Sequence, residues 1–529
     1  MAATTTIELV EPPTAALTKH VSEQYRPTTQ DDPHPEAALS RISTRVENKG
    51  TASVIIATIT GVTTISSLLS GLVTISLPAM VLDLNIPEAL TLWPASVYSL
   101  ACGCTLILCG AIADVVGARN MYLLGTFFQS AFTLACGLSR TSTQLIVFRA
   151  LSGVAISLCL PSAVSLLTTY FAPGRKRNFA FGAMGGGQPL GYTVGLIMGG
   201  GLADSSVGWQ GSMYIAAGLN SILFVFALFG LPAVDGRSPN AWHRLKSDID
   251  WIGAFILSSS LALLLYVFAT WTGNLANIRS AESVSCLTIG GALLPAFVVW
   301  INRQEKLGNP VLIRNSLWRN KAFTSICIMV FLVWGSFNAT ETFLTFLFQD
   351  VQGLRATQAS IRFLPEPVSG ATVNILIGLY VHKLRAKWAL VASLAVSAVS
   401  PLLLAVMREG ASYWEFEFAA VALVPIACDV LYTISQLVIT AEFDENTQAL
   451  AGGVFNTVAQ IGKSVGLALS AVVASSITAE MDPRTSSHEH SLLQGYRGAW
   501  WFTFAATVIC ILITLWGLRH IGKVGLKRE

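Results

Sequence analysis

About fourteen stretches of this chain are apolar over roughly 20 residues each, the length a helix needs to cross a bilayer core about 30 Å thick. They lie at 54–80, 91–113, 121–139, 143–169, 180–201, 212–232, 250–271, 284–302, 322–347, 359–381, 387–407, 416–440, 449–477 and 498–518. Composition agrees: of 529 residues, 53% are hydrophobic and only 12% charged, against about 25% charged in soluble domains. In lipid every backbone polar group must be satisfied within the chain, so such stretches are helices. The expected fold class is an all-α integral membrane protein.

The loops predict an orientation. With the N-terminus in the cytoplasm, the inner segments collect Arg119, Arg175, Lys176, Arg177, Arg244, Lys246, the basic residues of 303–321, Lys383, Arg385, Lys387 and the basic groups of both tails. The outer loops keep only Arg140, Arg279, Arg355, Arg408, Arg484 and Arg497. That asymmetry is the one the positive-inside rule describes, and it puts both termini in the cytoplasm. One inner segment departs from it: Glu442, Asp444 and Glu445 follow the twelfth stretch with no basic neighbour.

GAIADVVGAR (110–119) ends the second stretch and enters the third, and GLYVHKLRAK (378–387) does the same between the tenth and eleventh. Two related six-helix halves produce this kind of repeat. The offset is too long for six helices, so the seventh and eighth stretches are an insertion, giving 6+2+6. The expected divisions are a disordered tail over 1–51, a six-helix half over 52–232, an inserted pair over 233–321, a second half over 322–518 and a tail over 519–529. Residues 1–51 lack the short apolar core of a cleaved signal peptide, which leaves the first spanner as the insertion signal.

Several classes of function are excluded at this point. The net charge of +3 does not call for a nucleic acid. The nine cysteines all sit in apolar stretches without zinc spacing and read as packing residues; no metal site and no cofactor is expected. No nucleophile–base pair or phosphate loop marks an enzyme.

Four motifs bear on function. The first is the 110–119 loop with Gly110, Asp114, Gly117 and Arg119. The second is RALSGVAISLCLPSA (149–163), which buries Arg149 inside a spanner, an expensive placement that should face the bundle interior. The third is a glycine row in the fifth stretch: Gly187, Gly191, Gly195 and Gly199 recur every four residues and bare one helix face, with Gly182 and Gly200 nearby. The fourth is DWIG (250–253).

Together these residues resemble the major facilitator superfamily, and within it the fourteen-helix drug:proton antiporter branch common in fungi; the resemblance covers about 52–518. It implies that the first motif is a gating loop that locks the cytoplasmic side, although Val115 and Ala118 replace two usual basic positions. It also implies proton transfer by Arg149, with packing through backbone carbonyls as the alternative, and Ser152 replaces the usual glutamine. The glycine row matches the antiporter pattern at every glycine but has Leu196 in place of its proline, and it favours export. DWIG resembles the start of the inserted seventh helix in that branch.

Proton coupling needs a carboxylate in a low-dielectric site. Asp429 in the twelfth stretch is the preferred acid and Glu341 in the ninth the second; a static ion pair with Lys463, deep in the thirteenth, is the alternative for each. Glu366 is set aside because Arg362, four residues earlier, can satisfy it on one helix face. Trp334, Phe337, Asn338 and Tyr432 are cavity candidates with Lys463. The hydroxyls of the first stretch either line a cavity or bond back to their own helix. The resulting expectation is a monomeric secondary transporter exporting small hydrophobic or amphipathic organic molecules in exchange for protons. It would sit in the plasma membrane or, alternatively, a vacuolar or vesicular one. Proton-coupled movement of a nutrient, organic acid or inorganic solute is the alternative function.

Overall fold

The described residues of the computed structural model are 49–519, apart from 88–89, 172–174, 232–240, 248, 274–277, 314, 381–383, 444 and 482–487. The expected tails over 1–48 and 520–529, and the repeat's His382, lie outside them. The long helices are α1 (Lys49–Asp83), α2 (Trp93–Val116), α3 (Ala118–Leu138), α4 (Ser142–Tyr170), α5 (Arg175–Ala203), α6 (Gly208–Gly230), α7 (Trp251–Gly273) and α8 (Ala281–Lys306). They continue as α9 (Lys321–Phe346), α10 (Pro365–Tyr380), α11 (Ala386–Val406), α12 (Glu417–Glu442), α13 (Glu445–Glu480) and α14 (His488–Gly517). Among the described residues no strand is present.

Twelve of these helices are long and apolar enough to cross a membrane. The two that differ from the sequence expectation are α5 and α10. Helix α5 is diluted by glycine. The tenth stretch is broken: a short helix, Ala356–Arg362, ends at Phe363 and α10 starts afresh at Pro365. Proline has no amide hydrogen to continue the first piece, and its ring suits the first turn of the second.

The helix ends are built by recognisable chemistry. Thr141 caps α4 by accepting from the Gln144 amide (3.3 Å), and Ser280 caps α8 by accepting from Ser283 (3.1 Å). Asn320 caps α9 through the Ala322 and Phe323 amides and also donates to Glu442 at the end of α12 (3.0 Å). That bond gives the acidic 442–445 segment a structural use for its first residue. DWIG has a similar one. Asp250 accepts from the Gly253 amide (2.8 Å) and from the Trp300 indole of α8 (3.0 Å), and a Cβ at Gly253 would stand 2.2 Å from its carboxylate.

Helices α2 and α13 pack together, as do α5 and α10, so the first six and last six helices meet along two seams. Exchanging α2 with α10 and α5 with α13 maps one seam onto the other, the symmetry a 6+2+6 repeat requires. The pair α7–α8 stacks on itself, and α7 also lies against α2 and α13. Large apolar side chains stand exposed on α6, α7 and α8: Phe229 is 82% exposed, Phe255 74% and Val299 67%. Such a girdle is stable only against lipid.

The glycine row has a definite partner. A Cβ at Gly191 would lie 2.1 Å from the Thr64 carbonyl oxygen, and one at Gly195 would lie 2.1 Å from that of Leu68, both on α1. Gly71 of α1 returns the contact against the Tyr192 carbonyl at 2.3 Å. The last six helices hold an equivalent joint that the sequence reading missed. Gly335 of α9 faces Gly462 and Gly466 of α13, with only 2.3 Å between a Cβ at Gly466 and the Gly335 Cα. Both joints pair the first and fifth members of a six-helix set.

Gly191→Ala and Gly195→Ala should each destabilise the protein by about 1–3 kcal/mol, because a backbone carbonyl cannot yield to a methyl group. Gly182→Ala and Gly201→Ala, whose new Cβ would meet nothing within 4 Å, should stay within about 0.5 kcal/mol of the parent. Thermal unfolding in detergent compares the four; equal losses in all would remove the α1–α5 joint from the account.

Candidate substrate and proton site between the helix sets

Helix α5 supplies a polar edge next to its glycine face. Gln188 and Tyr192 are one turn apart and both reach the last six helices. The Tyr192 hydroxyl donates to Glu341 Oε2 of α9 at 2.6 Å. Gln188 lies beside Tyr432 of α12, whose ring a Cβ at Gly185 would meet at 3.8 Å. A polar pair at i, i+4 beside a bare stripe was the signal for these residues, and the sequence reading passed over it.

Glu341 is 2% exposed and Glu366 of α10 is 5% exposed. Each lies near enough for its charge to act on the other, and Glu341 Oε1 meets no donor among the described residues. The reason for setting Glu366 aside does not hold. The break at Phe363–Pro365 turns Arg362 away, and it pairs with the buried Glu417 at 3.1 Å. Gln352 joins that pair from both sides, and the guanidinium lies 5.1 Å above the Tyr413 ring. Burial pushes the Tyr413 phenol up to about 12, so it keeps its proton and donates to the Arg362 carbonyl oxygen at 2.8 Å.

Asp429 is partly buried on α12. It lies beside Asn374 of α10, and its Oδ2 has no donor among the described residues. Gly370, one turn before Asn374, makes room: a Cβ there would be 2.9 Å from Oδ2. Lys463 does not pair with either acid. Among the described residues no ion pair within 4.0 Å joins it to Glu341 or Asp429. Its ammonium instead rests 4.6 Å above the Trp334 ring, a cation–π contact, while its charge still acts on Glu341. Asn338 donates to the Lys463 carbonyl at 3.3 Å, and Trp334 meets Phe337 edge-on at 5.8 Å. Asp429, Glu341, Trp334, Asn338, Tyr432 and Lys463 thus form one neighbourhood, to which the structure adds Glu366, Tyr192 and Gln188. Phe337 also faces a small cavity beside Cys428 with roughly 20 Å³ of room, enough for one water and not for an organic molecule.

The other predicted residues fall elsewhere. Arg149 is 2% exposed and tied within the first six helices: its Nε donates to the Pro94 carbonyl at 3.0 Å and its guanidinium lies 4.6 Å over Tyr98. That is the packing alternative. Gly117 makes the turn between α2 and α3 at φ 101°, a conformation that suits glycine. A Cβ at Gly110 would meet Pro161 at an ordinary 3.5 Å, so no close approach depends on the glycine. No hydrogen bond joins Asp114 to Arg119 among the described residues. Arg119 donates to the carbonyls of Leu228 and Leu231 at the end of α6, both at 3.0 Å, where a cation complements the helix dipole. The charge acting on Asp114 is Arg244, from the short helix Ala241–Ser247. The α1 hydroxyls of Thr58, Thr64, Ser70 and Thr74 bond to their own helix.

Gly187, Gly191, Gly195 and Gly199 face α1 within one helix set. Gly200 does lie on the seam: a Cβ there would stand 2.6 Å from the Ser360 hydroxyl oxygen and 2.7 Å from the Ala356 carbonyl oxygen. Beyond it, Asp204 Oδ2 accepts from the Thr357 amide (2.8 Å) and hydroxyl (2.7 Å), and Gln349 donates to the Ile75 carbonyl (2.8 Å). The two sets are clasped at the end where α1 and α5 finish.

A family model described as Major Facilitator Superfamily matches residues 59–385 and 367–524. The chain belongs to the Major Facilitator Superfamily. It is 40% identical over 521 residues to MFS-type transporter 1 of Pyricularia oryzae, covering 90% of this chain and 85% of that one. It is 23% identical to the low affinity ammonium transporter of Saccharomyces cerevisiae, covering 80% and 79% of the two chains. It is 21% identical to the efflux pump terJ of Aspergillus terreus, covering 81% and 80%. These superfamily relatives are transporters rather than enzymes, and the protein is a multi-pass membrane protein of that class.

Asp204→Ala deletes the acceptor that spans the clasp. A cysteine placed at Ser360, 3% exposed in the parent, should then react about fivefold faster with a maleimide in purified protein, the equivalent of one lost hydrogen bond of about 1 kcal/mol. Unchanged labelling, after subtraction of the parent's own cysteines, would place the closure elsewhere.

Proposed function

We propose that this protein is a proton-coupled exporter of small hydrophobic or amphipathic organic molecules, working by alternating access between its first six and last six helices. The observation that carries the reading is the acidic cluster of Glu341, Glu366 and Asp429, which lies where the two sets meet and lacks an ion-paired counter-charge among the described residues. Carboxyls placed this way are stable when they hold protons, and they lose them when a pathway to water opens. Asp429 and Lys463, both partly exposed, are the groups a cargo would meet, with Trp334 and Tyr432 as its aromatic contacts.

The division into 52–232, an inserted pair over 233–321 and 322–518 fits the two symmetric seams, and with the DWIG cap it supports the fourteen-helix drug:proton antiporter branch. Export rests on the helix-5 glycine pattern and on a relative named as an efflux pump. An inorganic or nutrient cation is the second reading, favoured by the relative named as an ammonium transporter. The 110–119 loop acts as the gating element through Arg119 on α6 and Arg244 beside Asp114, rather than through a bond between Asp114 and Arg119. The reading places a monomer in the plasma membrane, with a vacuolar or vesicular membrane as the alternative.

Cells expressing the chain should accumulate less of at least one hydrophobic dye or weakly basic drug, and should lose that difference when the proton gradient is collapsed. Asp429→Asn and Glu341→Gln should each cut the exported flux at least about tenfold, since each removes a titrating group while keeping its shape. Equal accumulation with and without the chain, across a broad panel, would overturn export. Full proton-driven flux in both variants would remove these acids from coupling.

A further inference from the structure

Arg149, Arg362 and Lys463 each lie over an aromatic ring. The two arginines also give an N–H to an oxygen, Arg149 to the Pro94 carbonyl and Arg362 to the Glu417 carboxylate. Lys463 differs. Its ammonium carries three N–H donors, and among the described residues none of them reaches an oxygen by hydrogen bond or ion pair. The Trp334 ring, 4.6 Å away, attracts the charge but supplies no oxygen acceptor. Lys463 also stands near the middle of the membrane-crossing stretch Leu450–Glu480, where an unpaired cation is expensive. Its backbone is fixed from two sides. A Cβ at Gly462 would stand 2.4 Å from the Phe331 carbonyl oxygen of α9, and one at Gly466 would stand 2.3 Å from the Gly335 Cα. On the other side Ser464, 1% exposed, donates to the Ser96 carbonyl of α2 at 2.6 Å, and a Cβ at Gly103 of α2 would meet Ile461 at 3.0 Å. The lysine side chain, partly exposed, thus rises from a stretch held between α9 of one helix set and α2 of the other.

We propose that Lys463 is an anion subsite, which takes the carboxylate of an amphipathic organic acid whose apolar body packs against Trp334 and Phe337. The cargo's carboxylate supplies what Arg149 and Arg362 find within the chain, an oxygen for a charged donor. Charge-assisted hydrogen bonds are roughly twice as strong as neutral ones, and low local dielectric strengthens them further. Trp334 and Phe337, edge-on to each other at 5.8 Å, are the apolar wall that such a cargo needs beside its charged end. The use of this subsite in transport rests on the exporter reading, and it adds organic acids to the weak bases that Asp429 would meet. A lysine that merely packs on Trp334 would not distinguish an acid from a neutral compound of the same shape.

Equilibrium binding of naphthoate and of its neutral amide, naphthamide, to the purified full-length protein in detergent makes that distinction once binding to empty micelles is subtracted. At neutral pH the parent should bind the acid at least about tenfold more tightly than the amide, the discrimination that a hydrogen bond to a charged group supplies. Lys463→Gln and Lys463→Met, a polar and an apolar neutral replacement, should each bring the ratio of the two affinities close to one. Either variant suffices if the other fails to fold, and the parent can refute the proposal without them. Equal affinity for acid and amide in the parent, no saturable binding of the acid, or an undiminished preference in a folded variant would each overturn it. Binding needs neither a gradient nor flux. Acid selectivity that depends on Lys463, with no compound exported, would leave the subsite standing and count against export; export of some compound without acid selectivity in the parent would do the reverse.

Discussion

The structure depends on a hydrogen bond between two helices that belong to different sets, from Tyr192 of α5 to Glu341 of α9. In water such a bond is worth little. Here it is partly buried within a lipid-solvated bundle, beside carboxyls that no ion pair neutralises among the described residues, and its cost of loss rises accordingly. The surrounding architecture delivers it. The glycine face holds α5 against α1, so Tyr192 projects away from its own helix set. The joint of Gly335 with Gly462 and Gly466 holds α9 against α13 and puts Glu341 opposite.

The same constraint explains the distribution of charge. A buried cation or anion in a lipid-solvated protein is neutral, paired, or placed where a ligand or a proton will meet it. Arg149 takes the second course, resting on a carbonyl and an aromatic ring, and Arg362 pairs with Glu417. Glu341, Glu366 and Asp429 take neither. Lys463 lies near enough for its charge to act on Glu341, yet it rests on Trp334. A cluster balanced in this way answers to protonation and to cargo, whereas the Arg362–Glu417 pair fixes the loops at the clasped end.

Much of this was legible in the chain. Apolar length and loop charge place the helices, and the glycine period names a bare face. Acids inside apolar stretches identify Glu341 and Asp429. Two kinds of information were not legible. One is backbone breaks: Arg362 and Glu366 look like partners at i, i+4, and only the interruption at Phe363–Pro365 sends them to different neighbours. The other is which helix a face meets. The period of Gly187 to Gly199 shows a stripe but not that α1 fills it, and nothing local in the 110–119 loop says that Arg119 ends on the carbonyls of α6. Tyr192 and Gln188 were overlooked because single polar residues in a spanner acquire meaning only from what stands across the seam.

The central claim is that the protonation state of the buried acids governs how tightly the two helix sets hold together. Spin labels at Val207 and Arg355, both exposed and on opposite sides of the clasp, allow that separation to be measured by pulsed electron paramagnetic resonance at acid and alkaline pH. The account predicts a second, longer distance that grows as the pH rises and that is missing in Glu341→Gln. A single distance distribution, identical at both pH values in the otherwise unchanged protein, would contradict it.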